Sequence, residues 1–243
     1  VPIMQQKDID NDKLQIFAEA YNTLILDKKA FKNPIPEIED LEPKDNIKAW
    51  VDRKLFIHNL GHAATAYIGY IFYPDSVYLY EVLADTRIFN MVRETMSQAS
   101  DVLINKYPDE FRKEDLENHI DDLLIRFQNR LLGDTLYRVG CDIKRKLGPE
   151  DRLTGVIKLA LEFNLPYDKI LFALICGCHF KASDENGQRL KEDIEFVNNY
   201  KEELNSLIMD ISGSTGIDTS SITEEVEKIE LDLQKNNDKP SFK

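Results

Sequence analysis

Apolar residues recur along most of this chain at the three- and four-residue spacing of an amphipathic helix. Leu116, Ile120, Leu123, Leu124 and Phe127 make one such stripe, within a predicted helix over 112–130. Similar patterning predicts helices over 46–72, which stops before Pro74, and over 77–88. It also predicts 90–107, ended by Pro108, a partly irregular 135–146, and 150–163 behind Pro149. Residues 167–180 are apolar on nearly every side, which predicts a central buried helix. A polar loop at 183–187 precedes a helix over 188–208, a break falls at 212–216, and 223–234 reads as a charged terminal helix before a frayed tail. Toward the front, 14–26 reads as a helix or a strand–helix mix. The Pro-rich stretch 33–43 should be extended, because each proline biases its predecessor away from helix.

With only 10 glycines and almost no hairpin signals, the fold class is all-α, a multi-helical bundle-like domain with room for a minor strand pair near the N-terminus. The expected organisation is an N-terminal helix and Pro-rich connector packed on the core (1–45), a helical core (46–211), and a charged C-terminal helix and tail (212–243).

Charge changes the picture first by exclusion. The chain carries 31 Lys and Arg against 44 Asp and Glu, a net −13. That balance argues against a general nucleic-acid or anionic-membrane binder, both of which need a positive field. No stretch approaches the roughly 20 apolar residues of a membrane span. Three cysteines (Cys141, Cys176, Cys178) do not build a disulfide framework, which points to the reducing cytoplasm. Cys176, Cys178 and His179 lie on an apolar helix in different directions and read as core, so no metal is expected. The chain opens Val1-Pro2 without an initiator Met, and we expect a piece of a larger protein.

The informative stretch is Arg53-Lys54-Leu55-Phe56-Ile57-His58-Asn59-Leu60-Gly61-His62. At about 100° per residue, His62 falls roughly 80° and Asn59 roughly 140° from Lys54. A lysine, an amide and an imidazole thus share one arc of a helix, with His58 beside them as a structural histidine. Such a set fits a solvated helix face. It also fits alcohol oxidation, which needs a base for the hydroxyl proton and donors for the developing alkoxide. Lysine serves as that base once burial lowers its pKa. Gly61 would let a neighbour approach closely.

Lys54-x4-Asn59-x2-His62 resembles the signature of the polyol-specific long-chain dehydrogenases, the mannitol dehydrogenase family. The wider run through Ala63, Thr65, Ala66, Tyr67 and Gly69 looks most like the family's mannitol-1-phosphate 5-dehydrogenase branch. Downstream, Arg126-Phe127-x-Asn129, Asp134-x-x-x-Arg138, Arg145-Lys146-Leu147 and Asp151-Arg152-Leu153 resemble further family blocks in the same order. Arg130 stands where the family often has proline, and the last third matches nothing specific.

The resemblance covers about residues 14–180 and implies only the C-terminal substrate domain, of the 6-phosphogluconate dehydrogenase C-terminal type. It implies Lys54 as general base, Asn59 in the oxyanion-stabilising set and His62 as a substrate hydroxyl partner. The implied reaction is D-mannitol 1-phosphate plus NAD to D-fructose 6-phosphate plus NADH. NAD would sit mainly in an N-terminal Rossmann cofactor domain, the implied partner. No G-x-G-x-x-G fingerprint occurs in this sequence, so the chain alone should be inactive and should expose an apolar patch toward that domain. For the phosphate, the candidates are Arg138 and the run Lys144, Arg145 and Lys146, with Lys28 and Lys29 behind them. The same basic run also fits a solvated helix end. Mannitol 2-dehydrogenase, hexuronate reductase and a non-catalytic helical interaction module remain the alternatives.

Overall fold

A computed structural model describes residues 23–216 and 218–235, and divides the chain into two compact units, Val1–Val51 and Asp52–Lys243. In the first unit, β1 (Leu24–Asp27) pairs in parallel with β2 (Leu41–Lys44), Leu24 opposite Leu41 and Asp27 opposite Lys44. This is the minor strand pair that the N-terminal pattern left room for. Residues 14–22 of the predicted mixed element, and the tail beyond 235, lie outside the described residues. The Lys44 ammonium sits 3.8 Å over the Trp50 ring, a cation–π contact that ties the end of β2 to α1 (Ile47–Arg53).

The second unit is helical. A π-helical turn, Lys54–Asn59, follows α1 and leads into α2 (Leu60–Phe72). Then come α3 (Leu79–Val82), α4 (Thr86–Lys106), α5 (Lys113–Phe127), α6 (Leu136–Gly140) and α7 (Ile143–Lys146). The remainder are α8 (Thr154–Glu162), α9 (Asp168–Cys178), α10 (Lys191–Asn198), α11 (Tyr200–Thr215) and α12 (Thr219–Lys235).

The core sits on α2, which packs against α9, α6 and α4. Its run of Ala63, Ala64 and Ala66 is fully buried, and small residues let neighbours come close. A Cβ on Gly61 would lie 2.6 Å from the Met96 sulfur, so the neighbour that Gly61 admits is a core methionine of α4. As the pattern predicted, α9 is buried throughout from Ile170 to Cys178.

Three element boundaries differ from the pattern. The expected 77–88 helix is split because Asp85 is extended and its carboxylate accepts from the Arg87 N–H at 2.8 Å, which caps α4 there. The expected 188–208 helix breaks at Asn199. The break expected at 212–216 moves to Gly216, at φ 72°. Ser214 and Thr215 stay in the helix, and their hydroxyls donate back to the Asp210 and Ile211 carbonyls at 2.9 and 2.8 Å.

One buried carboxylate fixes the segment that carries the basic run. Asp193, 3% exposed, accepts from the backbone N–H groups of Asp142 and Ile143 at 2.8 and 2.7 Å. These are orphan donors at the start of α7, a four-residue helix.

Candidate functional site

The predicted catalytic residues lie where the regular helix gives way. The Leu60 N–H reaches back five residues to the Leu55 carbonyl, the wide π turn. Such turns insert one extra residue and recur at functional sites. The insertion rotates Asn59 back toward the Lys54 side, away from the 140° of a regular helix. Nothing in side-chain chemistry announces a π turn, so the sequence pattern predicted a plain helix here. The Asn59 carbonyl accepts from the Arg152 guanidinium at 3.3 Å. Arg152 is only 8% exposed, and its Nε donates to Asp151 at 2.8 Å. Asp151 in turn receives Arg145 at 3.4 Å. The Arg145 and Asp151-Arg152 segments therefore brace the turn from behind.

Lys54 is exposed in this domain, so the dry amine that base chemistry requires is not created by these residues alone. Asn59 is half-buried. His62 is held tightly: its ring stacks on Phe127 with centroids 4.0 Å apart, and meets the His58 ring edge at 4.9 Å. Burial first, then the charges of His58, Arg138, Arg152 and Arg126, pull its pKa well below the ordinary 6.5. It is a neutral imidazole near pH 7. Its Nε2 is buried without a hydrogen-bond partner and lies 3.5 Å from Asp134 Oδ2. Arg126, Asp134 and Arg152 fall in the family-like blocks of the sequence, which assign them no role by themselves. Their position in those blocks was the signal, and only the fold shows what they touch.

The phosphate candidates do not gather into a free cationic cluster. Arg138 pairs with Asp134. Lys144 pairs with Glu203 at 3.0 Å. Arg145 pairs with Asp142 as well as Asp151. Lys146 is buried, with burial lowering its pKa, and donates to the Val139 carbonyl at 2.7 Å. Lys28 and Lys29 belong to the first unit, where Lys28 pairs with Asp45 at 3.0 Å. Among the described residues no group of His, Cys, Asp or Glu is placed to hold a metal, and no helix is long and apolar enough to cross a membrane.

The site makes stability depend on acid. Burial first, then Arg53, His58 and Arg126, take the His119 pKa down to about 3. Below about 6.5 the unfolded chain binds protons that folded His62 and His119 refuse. Stability should therefore fall as pH drops from 6.5, and keep falling toward 3. Urea midpoints measured across that range should show the slope, and His119→Gln should flatten it. An unchanged slope in that variant would remove His119 as a cause.

A family model described as "Mannitol dehydrogenase C-terminal domain" matches residues 46–237. Among solved structures, a D-sorbitol dehydrogenase in substrate-free form aligns with TM-score 0.71 and 18% identity, over 96% of this chain and 49% of that one. Pseudomonas fluorescens mannitol 2-dehydrogenase, in a ternary complex with NAD and D-mannitol, aligns with TM-score 0.62 and 17% identity, over 88% and 44%. At these identities the likeness is one of fold. This chain spans about half the length of either relative.

Proposed function

We propose a polyol-oxidising role for this chain from one premise: it belongs to the mannitol dehydrogenase C-terminal domain family. The chain supplies the substrate pocket and the base, and NAD accepts the hydride when bound. The described residues offer no glycine-rich strand–turn–helix cradle for a pyrophosphate. NAD is therefore assigned to a separate cofactor-binding half, of the kind that would make up the rest of a relative's length. Val77, Ile125 and Leu131 expose apolar side chains on segments flanking Arg126 and Asp134, which suits a covering partner.

In the reading, Lys54 takes the hydroxyl proton, Asn59 donates its amide to the developing alkoxide, and neutral His62 meets a neighbouring substrate hydroxyl. The carrying observation is the neutral His62, with an unpartnered ring nitrogen, one turn beyond a π turn that bears Lys54 and Asn59.

The finer reading, from the sequence blocks, is D-mannitol 1-phosphate with the phosphate on Arg138, Lys144 or Arg145. One observation favours an unphosphorylated polyol instead: each of these three cations already has a carboxylate partner. Turnover of mannitol 1-phosphate against mannitol, in an enzyme joining this chain to a nicotinamide-binding half, separates the two. If phosphate binds Arg145, Arg145→Ala should raise KM about tenfold or more for the phosphorylated substrate only, the loss of a charge-assisted contact. Equal effects on both substrates would sink the phosphate assignment. No turnover of any polyol would sink the wider reading.

A further inference from the structure

We propose that Asp134 is a positioning residue that fixes the tautomer of His62, holding the proton on Nε2 and leaving Nδ1 as an acceptor. The inference rests on the reading that His62 meets a substrate hydroxyl, and sharpens it: His62 receives a hydrogen bond from that hydroxyl rather than giving one.

The His62 side chain keeps 22% of its surface exposed, yet its Nε2 is buried and without a hydrogen-bond partner. The exposure therefore lies elsewhere on the side chain. Phe127 covers a ring face and His58 meets the ring at an edge. The carboxylate 3.5 Å from Nε2 belongs to Asp134, itself 8% exposed.

A neutral imidazole has one N–H and one lone pair, and an ionised carboxylate only accepts. A nitrogen facing a carboxylate must then carry the proton. Closing a gap of 3.5 Å to hydrogen-bond length needs a shift of well under 1 Å. Such bonds are often long before substrate arrives.

The carboxylate is held in place by its surroundings. Its Oδ1 takes the Arg138 guanidinium. Its backbone carbonyl accepts from the Leu79 N–H at 3.0 Å, and the Leu136 N–H donates to Val77 at 2.8 Å. These bonds bridge Tyr78 and Thr135 and pin the loop to the segment before α3. Arg138 compensates the Asp134 charge, so the pair orients His62 without drawing it into the imidazolium.

Long-range 1H–15N NMR of the histidine-labelled chain reads the tautomer directly, with His62→Gln assigning the signal. The Nε2–H form is expected at neutral pH. In Asp134→Ala the His62 signals should move toward mixed tautomers while those of His119 stay. Asp134→Glu should restore the parent pattern in part. An Nδ1–H tautomer in the parent chain overturns the proposal by itself, whether or not any variant folds. So does an unchanged His62 pattern in a folded Asp134→Ala. Titration with D-mannitol, in an enzyme joining this chain to a nicotinamide-binding half, is the separate arm. If no polyol perturbs His62 while its tautomer still follows Asp134, the functional reading fails and the positioning role stands.

Discussion

Lys54→Met, in an enzyme that joins this chain to a nicotinamide-binding half, should lower kcat by about three orders of magnitude, the middle of the range for loss of a general base. Methionine keeps the length and removes the amine. Lys54 is exposed, so the fold should hold to within about 0.5 kcal/mol, as for other surface substitutions. The rate loss and the unchanged stability together are the diagnostic result. The pH profile should also change: the limb reporting deprotonation of the base should vanish with the amine. Near-normal turnover in this variant would end the assignment of Lys54. The physical demand behind it is strict. An ammonium becomes a base near neutral pH only where water is kept away from it. In the domain by itself Lys54 is open, so the reading requires the second half to close over it. Protection of Lys54 from amine acylation in the joined enzyme, and not in this chain alone, would show that closure.

The candidate helix was legible in the sequence for a particular reason. Lys54, Asn59 and His62 lie within nine residues, and local spacing survives folding as local geometry. The π turn was not legible, because it is a change of backbone register that leaves side-chain identities untouched. The brace behind it was half legible. Arg145, Asp151 and Arg152 stood out as family blocks, but their pairing with one another and with the Asn59 carbonyl is a product of tertiary packing. The basic candidates illustrate the opposite failure. In a chain of net −13 they looked conspicuous, yet a sequence does not show that Glu203 would meet Lys144 across 59 residues. Charge read along the chain overstated the free positive field. The boundary at Asn199 failed for a similar reason, since both flanking segments carry helical patterning and only the backbone there departs from it.

Gly140→Ala should be among the most damaging single methyl additions to this chain, about 3 kcal/mol, the upper range for overpacking a core. A Cβ on Gly140 would lie 2.3 Å from the Phe180 ring tip, and within 2.9 Å of two further ring carbons. The ring has little room to retreat. Phe180 is 1% exposed and packs edgewise against Tyr67 and Tyr70, with centroids 5.3 and 5.2 Å away. Tyr67 is itself fully buried, donates its hydroxyl to the Gly140 carbonyl at 3.1 Å, and abuts Gly177 on α9. The strain must then pass into α6, the five-residue helix that ends at Gly140 and carries Arg138. So a fault in packing should also disturb the Arg138–Asp134 pair and, through it, His62. Thermal unfolding should show Tm lowered by roughly 6–12 °C, the shift expected for that cost in a chain of this size. Phe180→Leu alone trims the ring at some cost, but it should relieve the clash. The double variant should therefore be more stable than the two single effects sum to, a coupling that a double-mutant cycle measures. Strict additivity would mean that the ring and the glycine do not press on one another, and that α6 is held in place by something else.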